Sequence, residues 1–222
     1  MTTSWADFPR RGAEPGSRPG DGPGPDGPLV TVVGPSGAGK DSLIGCVRER
    51  FAGARDLRVA RRVITRAPER EPGGEPHESV DEPAFDARLA RGEFAVHWEA
   101  HGLRYGVPAS VRDGLADGGV VLVNGSRAAL PDFADAFPTL LVVHVTVEGG
   151  TLARRLAERG REDEADIRAR LARAAPLDPA LGERLRELDN GGPLELAAAR
   201  LIGWLDALRH GRRPASADKT FE

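Results

Sequence analysis

Residues 34–42 read GPSGAGKDS. Gly34, Gly39 and Lys40 fit the spacing G-x-x-x-x-G-K-[ST], in which a glycine-rich turn wraps backbone N–H groups around nucleotide phosphates and a lysine reaches the outer ones. The N–H groups of Gly37, Ala38, Gly39 and Lys40 are expected to do this, with Pro35 and Ser36 completing the loop and the following helix offering its positive end. One position departs from the pattern. Asp41 stands where a Ser or Thr hydroxyl ordinarily meets Mg²⁺. Two arrangements answer it: Asp41 holds the metal while Ser42 caps the helix, or Ser42 takes the hydroxyl role and Asp41 favours the helix N-terminus. The lysine is informative against its background. The chain has 31 Lys plus Arg, yet Lys40 and Lys219 are its only lysines. A compact ammonium suits a phosphate loop, and a planar guanidinium is no conservative substitute.

The elements around the loop are those such chemistry needs. LVTVV (29–33) is a continuous apolar run, as a strand buried on both faces requires. The helix after the loop places Leu43, Ile44, Val47 and Phe51 at helical spacing. Further strands are expected at 62–66, 120–124 and 140–146, with an extended segment at 93–100 and a helix carrying Phe85 and Leu89. Helices are expected over 151–175, and Pro193 opens a last one striped by Leu194, Ala198, Leu201, Leu205 and Leu208. Alternation of this kind predicts an α/β fold, a parallel sheet with helices on both faces. Asn124, Ser126 and Arg127 then lie at the carboxyl end of a buried strand, where such sheets bind ligands. Capping by Ser126 is the structural alternative. In the HWEAH stretch, His97, Glu99 and His101 alternate along an extended segment. Without a fourth ligand, Glu99 is read as accepting hydrogen bonds from substrate hydroxyls or orienting an arginine rather than as a metal ligand.

The composition bounds the rest. A net charge of −3 gives no general pull toward nucleic acid or anionic membranes. No apolar run approaches the roughly 20 residues of a membrane span. The lone Cys46 excludes an internal disulfide framework and fits a cytoplasmic setting. Residues 1–28, dense in Gly and Pro, are expected to form a disordered tail, with a second tail at 210–222. The folded domain spans 29–209. The polar stretch 67–80 is expected to be a functional loop.

With these motifs together, the chain resembles the guanylate kinase-like group of P-loop NTPases. The resemblance rests on VGPSGAGKDSL, ITR.P, GEF..HWEAHGLRYG, RLAERG, DIRARL and a final DN, in one register from about 29 to 208. The GKDS and HWEAHGLRYG details resemble one branch, the ribose 1,5-bisphosphate phosphokinases of phosphonate catabolism. That resemblance implies ATP and Mg²⁺ as cofactors and a sugar phosphate acceptor; a homodimer is the one protein partnership considered, and the sequence does not fix it. It also implies an acceptor-binding insert at about 67–108 and a lid at about 152–171, whose Arg155, Arg159 and Arg170 would close over the transferred phosphoryl group with Lys40.

Comparison with the guanylate-specific branch sharpens the acceptor. Arg66 matches the phosphate-binding arginine of that branch, Arg70 is a displaced version of the second, His77 stands for one phosphate-binding tyrosine and Tyr105 for another. Two guanine-reading positions are apolar, Val96 and Val107. Each guanine polar group left without a partner costs about 1–3 kcal/mol, so the implied acceptor is a phosphate ester without a purine. A gluconate-type sugar kinase, with Glu99 or Asp41 as base, is the enzymatic alternative, and guanylate kinase itself ranks behind it. A non-catalytic binding module is the non-enzyme alternative, disfavoured by the intact Gly34, Gly39 and Lys40.

Overall fold

The computed structural model describes residues 26–66, 75–158, 177 and 179–211. Strand β1 (Leu29–Val33) is buried at every position and takes the centre of a five-stranded sheet. Its neighbours are β7 (Val120–Asn124) and β8 (Leu141–Thr146), with β2 (Leu57–Val59) and β9 (Leu185–Asp189) at the edges, all parallel. Strands buried on both faces lack alternation, which is why their apolar runs are continuous.

Successive residues point to opposite faces, so one face carries Val30, Val32, Leu122 and Val143. It packs on Leu43, Ile44 and Val47 of helix α1 (Lys40–Arg50) and on Ala198, Leu201 and Leu205 of the C-terminal helix α6 (Leu194–Arg209). The other face, with Val33, Val123 and Val142, packs on helices α3 (Val111–Leu115) and α4 (Leu130–Ala136) and on a second sheet.

That second sheet was not expected. It is four-stranded, in the order β4 (Glu78–Ser79), β3 (Val63–Ile64), β6 (Leu103–Pro108), β5 (Phe94–Ala100). β6 pairs antiparallel with both β3 and β5, while β3 and β4 run parallel. The strand expected at 62–66 is therefore shorter and belongs here, not to the parallel sheet. β5 and β6 turn tightly at His101 (φ 53°) and Gly102 (φ 69°). Helix α2 (Glu82–Ala90) is capped by Asp81, whose carboxylate accepts from Ala84 N at 2.9 Å. Its Phe85 stacks on Phe94 at 4.7 Å, covering the outer side of the hairpin.

Two boundaries move. Gly27, assigned to the tail, is pinned: its N–H donates to Leu115 O at 2.7 Å and its carbonyl accepts from Thr139 Oγ1 at 3.0 Å. A Cβ there would lie 1.8 Å from Gly119 O, so only glycine fits. Helix α5 (Gly149–Glu158) starts two residues before the expected 151. Among the described residues no helix is long and apolar enough to cross a membrane.

Candidate active site

The glycine-rich turn joins β1 to α1 at the carboxyl edge of the parallel sheet. Gly39 is the N-cap of α1 in the left-handed conformation (φ 85°), and a Cβ would lie 2.4 Å from Asn190 Nδ2. Glycine is needed there for both reasons. Asn190, just past β9, donates from Nδ2 to Ala38 O at 2.7 Å and from its backbone N–H to Thr146 O at 2.9 Å. The final DN motif thus braces the loop from the sheet edge. Lys40 Nζ donates to Gly34 O (2.9 Å) and Pro35 O (2.8 Å), which holds the ammonium over the turn. Within the turn Ala38 N–H donates to Pro35 O at 3.3 Å; a helix start with no side-chain cap and a fixed ammonium make an anion cradle.

Ser42 does not cap α1. The helix has no side-chain cap bond, because its N-cap is the left-handed Gly39 and Ser42 already lies within the first turn, exposed. Asp41, also in the first turn, accepts from Asn124 Nδ2 at 2.8 Å. The strand-end asparagine and the loop carboxylate are therefore direct partners.

Asn124 has a second carboxylate partner. The same Nδ2 donates to Glu75 Oε2 at 2.5 Å, and Glu75 is ion-paired to Arg62 Nη2 through that oxygen. The Arg62 guanidinium lies 5.3 Å from the Tyr105 ring centroid and 6.0 Å from that of Trp98. Those rings stack at 5.3 Å, nearly parallel. The chain Asp41–Asn124–Glu75–Arg62–Tyr105 runs from the phosphate loop into the second sheet. It explains why β7 ends in an amide: a carboxylate at 124 would be a third negative group where two already meet, and only an N–H donor satisfies both. Burial pushes the Glu75 carboxyl above its ordinary value, against the pull of Arg62 and of the Asn124 hydrogen bond, and Asp41 adds to the rise. Sequence reasoning missed Glu75 and Arg62. Their one signal was Asn124, a polar residue ending an otherwise apolar buried strand.

The remaining predicted residues fall into three groups. Arg66, Tyr105 and His77 lie on or beside the second sheet; His77 Nδ1 is 3.0 Å from Glu75 O, which ties it to the same chain. Ser126 and Arg127 follow β7 in a short 3₁₀ turn, and Ser126 makes no side-chain cap bond, so capping does not account for it. Arg127 is close to His144 of β8: burial lowers the His144 pKa first, the Arg127 charge second, with Lys40 adding to the fall and Glu187 opposing it. Two cations, Arg127 and Lys40, thus act on His144 at the carboxyl edge, with the Glu187 carboxylate opposing them. Arg155 lies half-buried on α5.

Glu99 is placed elsewhere. On β5, Val96 and Trp98 face inward, while His97 and Glu99 face out; the Glu99 side chain is 81% exposed and 3.9 Å from Arg104. The structure does not bring it to the other site residues, because strand alternation fixes its side once Trp98 stacks inward. His101 lies in the turn, off the strand. Val96 and Val107 are register partners and both are buried in the inner core. Arg70, Arg159 and Arg170, with most of the expected lid, lie outside the described residues.

No family model matches the chain. Among curated proteins, it is 50% identical over 182 residues to a ribose 1,5-bisphosphate phosphokinase PhnN of Rhizobium etli, covering 82% of this chain and 91% of the relative. It is 47% identical over 184 residues to the protein of the same name in Pseudomonas fluorescens, covering 81% and 95%. Among solved structures, a guanylate kinase from Anaplasma phagocytophilum matches with a TM-score of 0.62 at 20% identity, over 85% of this chain and 90% of that one. This last likeness concerns the fold.

Proposed function

The chain belongs to the ribose 1,5-bisphosphate phosphokinase family, and from that premise we infer that it transfers the terminal phosphoryl group of ATP to the 1-phosphate of ribose 1,5-bisphosphate, giving 5-phosphoribosyl 1-diphosphate and ADP. The observation that carries the choice of acceptor is the Val96–Val107 pair. Facing each other across the hairpin, buried and apolar, they offer no hydrogen bond to a guanine edge. The proposed anion-binding groups are Tyr105 on the same sheet and Arg66 and His77 beside it.

The donor site fits ATP. A glycine turn that excludes side chains, N–H groups at a helix start and the fixed Lys40 ammonium suit a polyphosphate. It also fits Mg²⁺, because Asp41 supplies a hard oxygen ligand beside the loop and Asn124 holds that carboxylate in place. Bound there, Mg²⁺ would offset charge on the nucleotide phosphates.

The protein has little covalent work to do. A phosphate acceptor is already largely ionised near neutral pH, with a second pKa of about 6, so no general base is required. What remains is to align two anions and offset their repulsion. Lys40 does this at the donor phosphates. Arg127 supports the carboxyl edge between the two sites, and Arg155, half-buried on α5, adds positive charge for the transferred phosphoryl group. Arg66, His77 and Tyr105 hold the acceptor phosphate.

Phosphorus NMR of the product tests this reading: ATP, Mg²⁺ and ribose 1,5-bisphosphate should give a coupled diphosphate pair on carbon 1. A third separate monoester signal would mean that a hydroxyl is phosphorylated. For the metal, Asp41→Asn should weaken apparent Mg²⁺ affinity about tenfold or more. Unchanged affinity would pass the role to Ser42.

A further inference from the structure

The Arg62–Glu75 pair is joined through one atom on each side. Arg62 Nη2 meets Glu75 Oε2, and Oε2 also accepts from Asn124. Arg62 Nε and Glu75 Oε1 are both buried and without a hydrogen-bond partner among the described residues. Arginine and carboxylate ordinarily pair through two parallel bonds, which would have used both atoms. Here a buried donor and a buried acceptor stay unused on one ion pair, although the side chains are only 11% and 4% exposed.

A group that satisfies both must donate and accept. A phosphate oxygen meets the Arg62 Nε–H but is repelled by Oε1. A hydroxyl accepts from the one and donates to the other. The pair sits between the Asp41–Asn124 contact at the phosphate loop and the Tyr105 ring on the acceptor sheet. The acceptor proposed above has two kinds of polar group, phosphates and ring hydroxyls.

We propose that Arg62 and Glu75 together bind a ring hydroxyl of the sugar acceptor, Nε–H donating to its oxygen and Oε1 accepting its proton. The pair is the specificity element that requires a hydroxylated sugar between the two phosphates. Asn124 holds the Glu75 carboxylate by its other oxygen, and the aromatic faces hold the Arg62 guanidinium. This inference rests on the reading that ribose 1,5-bisphosphate is the acceptor.

The test compares ribose 1,5-bisphosphate with its 2-deoxy and 3-deoxy analogues, using wild-type protein and the Arg62→Lys and Glu75→Gln variants. Wild-type turnover of the parent bisphosphate checks the underlying reading separately; its absence would overturn that reading. Given turnover, wild-type kcat/KM should fall roughly 10- to 100-fold on one of the two deoxy analogues, the loss expected for a hydrogen bond to a charged group. In each variant the parent should be penalised and the deoxy analogue affected far less, so that the ratio closes to about threefold. A purely structural pair would lower both substrates in parallel and leave the ratio intact. Wild-type protein that accepts both analogues within about threefold overturns the proposal without any variant, and points to a trapped water at the pair.

Discussion

The two sheets position chemistry by different means. The parallel sheet does it with backbone. Its phosphate loop is shaped by glycines at positive φ, by a helix start and by a strand buried along its length, all within residues 29–43. The mixed sheet does it with side chains brought from far apart. Arg62 and Glu75 are 13 residues apart, Glu75 and Asn124 are 49, and Asn124 and Asp41 are 83. Local geometry tolerates no substitution but announces itself in sequence. The side-chain relay shows in sequence only through Asn124, and it runs into the sheet that carries the proposed acceptor site.

Variants separate the two means. Lys40→Met strikes the backbone-built site and should lower kcat by about 10²–10³-fold, the usual loss of a preorganised electrostatic group, with the fold intact by circular dichroism. Glu75→Ala strikes the relay and should act first on stability. It leaves the Arg62 guanidinium buried without its counter-charge, a loss of about 3–5 kcal/mol, read by urea unfolding. If Glu75→Ala were as stable as wild type, the relay would not be a structural tie.

Acid separates them more finely. The Glu75 carboxyl has a native pKa above 4.5, so the folded chain binds its proton more tightly than the unfolded chain does. Ionised Glu75 thus costs native stability at neutral pH, and the cost is relieved as pH falls through the native pKa toward 4.5. Wild type should gain on Glu75→Gln in melting temperature between pH 7 and pH 5; parallel curves would place the carboxyl in water. The smallest effect is expected at Glu99, on the outer side of the same sheet. Glu99→Gln should leave kcat/KM within about twofold, since exposed ion pairs contribute about 0–1 kcal/mol. A larger loss would place Glu99 at the substrate after all.

The same division governs what the sequence disclosed. The runs at 29–33, 120–124 and 140–146 have the continuous apolar character of strands buried on both faces, and all three lie together in the parallel sheet. β2 and β9 escaped because LRV and LRELD interrupt any apolar run with charges, as edge strands do. The second sheet escaped because two of its strands are only two residues long and pair across the chain. Glu99 shares a face with His97, as strand alternation predicts, but that face is the outer one because Val96 and Trp98 turn inward. Asn124 was legible as an oddity, and its meaning required the two carboxylates that share its amide.

The central claim is that the mixed sheet, with Val96 and Val107 sealed on its inner face and Arg66, His77 and Tyr105 on or beside it, selects a sugar bisphosphate over a nucleotide. The most direct test is ADP formation by the wild-type protein with ribose 1,5-bisphosphate and with GMP under identical conditions. Two guanine polar groups left unpaired, at about 1–3 kcal/mol each, predict a kcat/KM at least about 30-fold higher for the bisphosphate. Equal or better turnover of GMP would contradict it, and would mean that groups other than positions 96 and 107 hold the base.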